Sequence, residues 1–148
     1  MLMLLVPARA EHAELLLHCR NDPECLSLCG NAEPVTPEQH QRWLADILEN
    51  RQSKCQWLYV AMVDGLCIGS ARISEHPLDA WAMGAGCRVS YVVGKEYRGR
   101  GYGKELVAQT VAKAKELGYV TISARIKRHN MRSMVCAMVA GVNTVEFF

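Results

Sequence analysis

The chain has 148 residues, 50% hydrophobic and 22% charged, enough apolar material for one domain with a real core and too much for a disordered chain. A formal net charge of +2 is too small to imply a nucleic-acid partner. No apolar run reaches membrane-spanning length, and the opening MLMLLVPA lacks a basic leader, so we expect residues 1–148 to form a single soluble, cytoplasmic domain without a membrane partner.

In chain order, residues 2–6 (LMLLV) read as a short strand. After Pro7, ARAEHAELLLHC reads as a helix with Leu15, Leu16 and Cys19 near one face. Residues 21–34 (NDPECLSLCGNAEP) are punctuated by proline, glycine and asparagine and read as loop. Thr36 then caps a second helix. Pro37 takes its first position, Gln39 completes a capping box, and Trp43, Leu44, Ile47 and Leu48 form its apolar side. Asp64-Gly65, between QWLYVAMV and LCIGSARI, signals an antiparallel hairpin. Residues 75–86 read as a connection and 87–93 (CRVSYVV) as a strand. A helix then runs to near Gly118, a strand follows in YVTISARI (119–126), and a helix from Asn130 to Ala140 stops at Gly141. The final VNTVEFF holds one short strand. This order makes an α/β fold with a mixed, largely antiparallel central sheet flanked by helices, strand 119–126 lying parallel beside 87–93 through a crossover.

The stretch VVGKEYRGRGYGKEL (92–106) sets three alternate glycines between a strand and a helix. Unpaired N–H groups at such a helix start favour an anion, typically a phosphate. Between Lys95 and Arg132 ten basic residues face three acidic ones, a bias suited to a polyphosphate ligand. Two familiar phosphate turns are excluded. The spacing Gly99, Gly101, Gly103 is not G-x-G-x-x-G, and Lys104 is followed by Glu105 where a Walker loop needs Ser or Thr.

Arg98-x-x-Gly101-x-Gly103, after a strand and opening a long helix, resembles the acyl-coenzyme A signature of the GNAT N-acetyltransferase superfamily. HNMRSMVCAMVAG (129–141) resembles its second signature, in which an asparagine starts the penultimate helix and a glycine ends it. The specific motifs span about 85–141, while the topology matches over the whole chain. The resemblance implies the GNAT fold and direct transfer of an acetyl group from acetyl-CoA to a primary amine in a ternary complex. It places the backbone of Tyr91, Val92 and Val93 along the pantetheine arm, with an N–H near Val93 polarising the thioester carbonyl. It places Arg98, Gly99, Arg100, Gly101, Tyr102, Gly103 and Lys104 around the pyrophosphate, and Asn130 against the arm. Read from the residues alone, Tyr91 to Val93 are core strand and Asn130 is a helix N-cap.

The chain departs from the family at two positions. Ala137 stands where many members have a tyrosine that protonates the leaving thiolate. Cys87 and Arg88 stand where many carry a glutamate. His76 has the pKa range of a base and is the leading candidate, with Glu75, Asp79 and His129 as alternatives. Residues 18–24 (HCRNDPE) and 36–44 (TPEQHQRWL) resemble the front half of members acting on nucleotide-linked amino sugars or on protein N termini, ribosomal proteins included. That implies Arg20 and Asn21 in the acceptor wall. Read from the residues, Trp81 in its glycine-rich loop is the exposed aromatic for stacking on a ring, and Trp57 is hairpin core. A protein N-terminal or lysine acetyltransferase, or a catalytically weak acyl-CoA-binding sensor or assembly module, are the other readings.

Five of the seven cysteines sit in apolar runs, which suits buried thiols in a reducing compartment, Cys136 among them. Cys25 and Cys29 lack a second pair at zinc spacing, so no metal is expected. Family members usually close the sheet with two strands after the last helix. Here VNTVEFF supplies one, which leaves an apolar edge. A homodimer through this segment, Phe147 and Phe148 included, is the expectation; a monomer with both phenylalanines folded onto the last helix is the alternative.

Overall fold

The computed structural model describes residues 2–28, 33–51, 54–75 and 86–148. Strands β1 (Met3–Pro7), β2 (Gln56–Val63), β3 (Leu66–Glu75), β4 (Gly86–Val93), β5 (Thr121–Ile126) and β6 (Thr144–Phe147) form one sheet. Their spatial order repeats their order in the chain. The first four are mutually antiparallel, and β5 and β6 add in parallel. The β2–β3 hairpin turns on Asp64 (φ 50°) and Gly65 (φ 77°), the two positive φ angles that a type I′ turn demands.

Among the described residues five α-helices cover the sheet: α1 (Ala13–Arg20), α2 (Pro23–Leu28), α3 (Pro37–Glu49), α4 (Tyr102–Glu116) and α5 (Met131–Ala140). The pleat sends alternate strand residues to opposite faces. Leu58 and Val60 meet Leu16 of α1 and Leu44 and Ile47 of α3 on one face. Ile73, Cys87, Val89 and Ile122 meet Val107, Val111 and Ala137 on the other, beneath α4 and α5. Trp57 joins this second core edge-on to Tyr119, with ring centroids 5.9 Å apart.

The capping box predicted for α3 is present in both directions, Gln39 N–H donating to Thr36 Oγ1 (3.2 Å) and Thr36 N–H to Gln39 Oε1 (3.0 Å). Trp43 is the exception on that helix. It is 37% exposed, and His40 takes its place among the buried residues with Leu44 and Ile47. The segment expected as loop after residue 20 contains α2 instead. Asp22 Oδ2 accepts from Cys25 N–H at 3.1 Å, which is an N-cap bond, and Pro23 fills the first helical position. Before α1, Ala10–His12 forms a single 3-10 turn, so the regular helix begins later than the periodicity suggests.

None of the six described cysteines is in a disulfide, and Cys19, Cys25 and Cys87 are buried. Burial pushes the Cys19 and Cys87 thiols up to about 11. Among the described residues no group of three or more metal-ligating side chains is placed to hold an ion. No helix among them is long and apolar enough to cross a membrane. Phe148 does not fold onto α5. Its ring lies under the Arg125 guanidinium, 4.2 Å away, because its N–H continues the β6 register by donating to Ile126 O (3.3 Å).

Candidate functional site

The sheet opens where β4 leaves β5. The two strands pair only at Gly86–Thr121, Cys87–Ile122 and Arg88–Ser123, although β4 runs on to Val93 and β5 to Ile126. Beyond Arg88 the strands diverge into a wedge. Gly94 N–H donates to Ile68 O at 2.7 Å, and a Cβ on Gly69 would strike the Val92 carbonyl. These two contacts fix the pleat phase, so the Val92 carbonyl faces β3. The N–H and C=O of Tyr91 and Val93 therefore face the wedge.

The glycine turn stands at the mouth of this wedge. Gly99 (φ 79°) and Gly101 (φ 84°) have left-handed backbone, and no atom lies within 4 Å of a Cβ added at either. Gly101 is the N-cap of α4 and no side chain caps it. The first N–H groups of that 15-residue helix are thus left unpaired at its positive end. Arg100 and Lys104 are exposed beside them. Gly103 is the second residue of α4, within its first turn; a Cβ there would sit 3.9 Å from Val93 Cγ2. A cleft of about 320 Å³ continues from the turn, lined by Gly101, Lys104, Glu105, Ala108, Val139 and Ala140.

Arg98, expected to hold the same ligand, has its donors committed within the chain. Its Nε–H donates to Val93 O (3.0 Å), Nη2 to Asp22 Oδ2 (2.9 Å) and Nη1 to Glu24 Oε2 (2.7 Å). Asp22 is only 7% exposed. The α1–α2 corner is thereby fastened to the end of β4.

At the other wall, Asn130 caps α5, its Oδ1 accepting from Ser133 N–H at 3.3 Å. Tyr91 reaches across from β4. Its phenol donates to Ser133 O (3.1 Å) and lies 2.7 Å from Ser133 Oγ. Burial raises the pKa of this hydroxyl. Ala137 is fully enclosed in the core below. Sequence reasoning did not find Ser133; its place three residues after the Asn130 cap was the available signal.

The expected acceptor residues have different fates. The Asn21 amide is committed to Val35, donating to its carbonyl (2.7 Å) and accepting from its N–H (2.8 Å). It clamps α1 to the approach of α3 instead of offering itself to a ligand. Arg20 Nη1 is buried with no hydrogen-bond partner among the described residues. Its positive charge, after burial itself, helps hold His40 below the ordinary imidazole range. His76, Asp79 and Trp81 lie outside the described residues. Glu75 ends β3 beside Cys87, six residues from the Gly69–Val93 pair, or about 20 Å along the strand. His129 is exposed just before α5. Cys87 is enclosed, and Arg88 is paired with Glu146 at 2.9 Å.

The family model described as Acetyltransferase (GNAT) domain matches residues 3–143. Among solved structures, a ribosomal-protein-alanine N-acetyltransferase from Brucella melitensis is similar at 23% identity and a TM-score of 0.75, over 95% of this chain and 83% of that one. An acetyltransferase from Salmonella typhimurium with its cofactor acetyl-CoA is similar at 19% identity and a TM-score of 0.75, over 95% and 79%. An aminoglycoside acetyltransferase in complex with coenzyme A is similar at 21% identity and a TM-score of 0.76, over 95% and 83%. No curated protein sequence matches significantly.

Proposed function

The chain belongs to the GNAT acetyltransferase family and is an acetyl-CoA-dependent N-acetyltransferase; from that premise we propose that it acts as one domain on a primary amine borne by a small molecule, an amino sugar before a protein amine. The observation that carries the site assignment is the uncapped start of α4 beside the divergent β4 edge. The fit is chemical as well as geometric. Open space over Gly99 and Gly101 admits a pyrophosphate close to the backbone, and Arg100 and Lys104 supply charge. Acetyl-CoA supplies the activated acetyl thioester. Tyr102, Gly103 and Lys104 N–H groups would hold its phosphates, and the Tyr91 and Val93 backbone would receive the arm along the wedge with Asn130 opposite. Val93 N–H lies on the wedge side of β4, where it would stabilise negative charge on the thioester oxygen. The amine would enter from the α1–α2 corner, lose its proton to a base or water chain and form the new C–N bond as the C–S bond breaks, the coenzyme A thiolate taking up a proton.

The amino-sugar acceptor rests on the front-half motif and accords with an aminoglycoside enzyme among the structural relatives. The ribosomal-protein relative supports the protein-amine reading equally at the level of fold. Thiol release from acetyl-CoA should be followed with glucosamine, a peptide with N-terminal alanine and a lysine peptide. Saturable release with glucosamine is the expected result; release with a peptide alone would move the acceptor to protein amines, and binding without any release would remove the transfer reading. We also propose a homodimer, supported by the open β6 edge with Phe147 and by Met131, Val135, Met138 and Val139 exposed on α5, and a cytoplasmic location, supported by described cysteines free of disulfides.

A further inference from the structure

Arg98 belongs to the motif that marks the phosphate turn, yet every nitrogen of its guanidinium has a partner inside the chain. Nε holds Val93 O, Nη2 holds Asp22 and Nη1 holds Glu24. One positive charge faces two carboxylates, so the guanidinium's charge is already matched inside the chain. The partners also have work of their own. The same Asp22 oxygen that meets Arg98 caps α2 through Cys25 N–H. Val93 is the residue whose N–H faces the wedge. A planar fork with donors at fixed angles can hold three such acceptors together; a lysine, a single point charge, cannot.

We propose that Arg98 is a positioning residue, locking the α1–α2 corner that walls the acceptor side onto Val93 at the end of β4, and that its side chain does not bind the phosphates of acetyl-CoA. This rests on the transfer reading above. The strand end that faces the thioester and the helix corner that faces the amine then move as one piece. Arg98 Nε fixes the Val93 carbonyl, which sets the direction of the strand end, while Nη1 and Nη2 set the position of the corner. A weak contact at 3.4 Å between His18 Nε2 and Glu96 Oε1 ties the same two elements a few residues away, but both side chains are more than half exposed. The buried tie is the one through Asp22.

The test uses the full chain with Arg98→Gln, Arg98→Lys, Asp22→Asn and, for comparison, Arg100→Gln. Calorimetry with acetyl-CoA at two salt concentrations and amide exchange at Gly94, which donates to Ile68 O, and at Cys25, which donates to Asp22, are read together. The expected result for Arg98→Gln is an acetyl-CoA affinity within about twofold of the parent with an unchanged salt slope, and exchange at least tenfold faster at Gly94 and Cys25. Asp22→Asn should give the same pattern, and Arg98→Lys should restore little of it. With whichever panel amine turns over, its KM should rise about tenfold or more, while KM for acetyl-CoA stays put. A loss of acetyl-CoA affinity of tenfold or more in Arg98→Gln, with a flatter salt slope like that of Arg100→Gln, would overturn the proposal while leaving the cofactor site intact. A parent that does not bind acetyl-CoA would instead remove the site assignment. Should Arg98→Gln fail to fold, Asp22→Asn decides: it breaks the lock without touching the arginine, and unchanged exchange at Gly94 in that variant refutes the locking role.

Discussion

At the scale of single residues, the site depends on positions where a side chain is missing or committed. Gly101 holds a φ of 84° with open space beyond it, so a valine there meets no protein atom but is forced into left-handed backbone. The expected cost is about 1–2 kcal/mol of stability, with loss of acetyl-CoA binding because the new branches occupy the phosphate approach. Calorimetry on the folded Gly101→Val protein checks this, and parental affinity would contradict the turn's role. His40 gives a second, independent expectation. Burial, and then the Arg20 charge, keep its pKa below the usual 6.5. The unfolded chain therefore takes up a proton first as pH falls. Stability from the neutral ring is complete above pH 6.5 and drains away below it. His40→Gln should flatten the fall of Tm between about pH 7 and pH 5, a slope readable by calorimetric scans. Sequence reading took in the glycines, the Asn130 cap and the cations, because each acts through local backbone chemistry. It missed where Arg98 and Asn21 point, because their partners Asp22, Glu24, Val93 and Val35 are assembled only by the tertiary fold.

At the scale of elements, the punctuation of the chain was largely visible. Asp64-Gly65 produced its hairpin, Thr36 and Gln39 their capping box, and Gly141 its left-handed stop with φ 90°. The loop expected at residues 23–28 is helix because Asp22 before Pro23 makes the proline a helix start and not a breaker. Trp43 shows a different limit: its spacing matches the apolar stripe of α3, yet the helix rotates His40 inward and leaves the indole at the surface, with the two rings 5.4 Å apart. The clamp from α1 to the start of α3 can be tested directly. Asn21→Ala strips both bonds from Val35 and should cost about 1–3 kcal/mol in urea unfolding. A cost near zero would mean that water replaces the amide without penalty and that the two helices are held by their apolar contact alone.

At the scale of the whole molecule, association is the open question that the surface poses most directly. Met131, Val135, Met138 and Val139 form a stripe at helical spacing on α5, all more than half exposed. A stable interface needs about 800 Å² from each partner, more than four side chains supply, so the stripe and the β6 edge with Phe147 would have to act together. Light scattering at tens of micromolar is expected to show a dimer that is lost when residues 144–148 are removed. A monomeric parent would end that proposal.

The sheet whose spatial order copies its chain order also has a consequence for how the molecule comes into being. Each strand joins beside the one made just before it, so a nascent chain can complete β1 through β4 while its later part is still being synthesised. The crevice between β4 and β5 does not exist until α4 has been spelled out and β5 has docked. Ligand can therefore enter the folding pathway only at the final stages of assembly, as a ratchet on the last strands and not as a seed for the first.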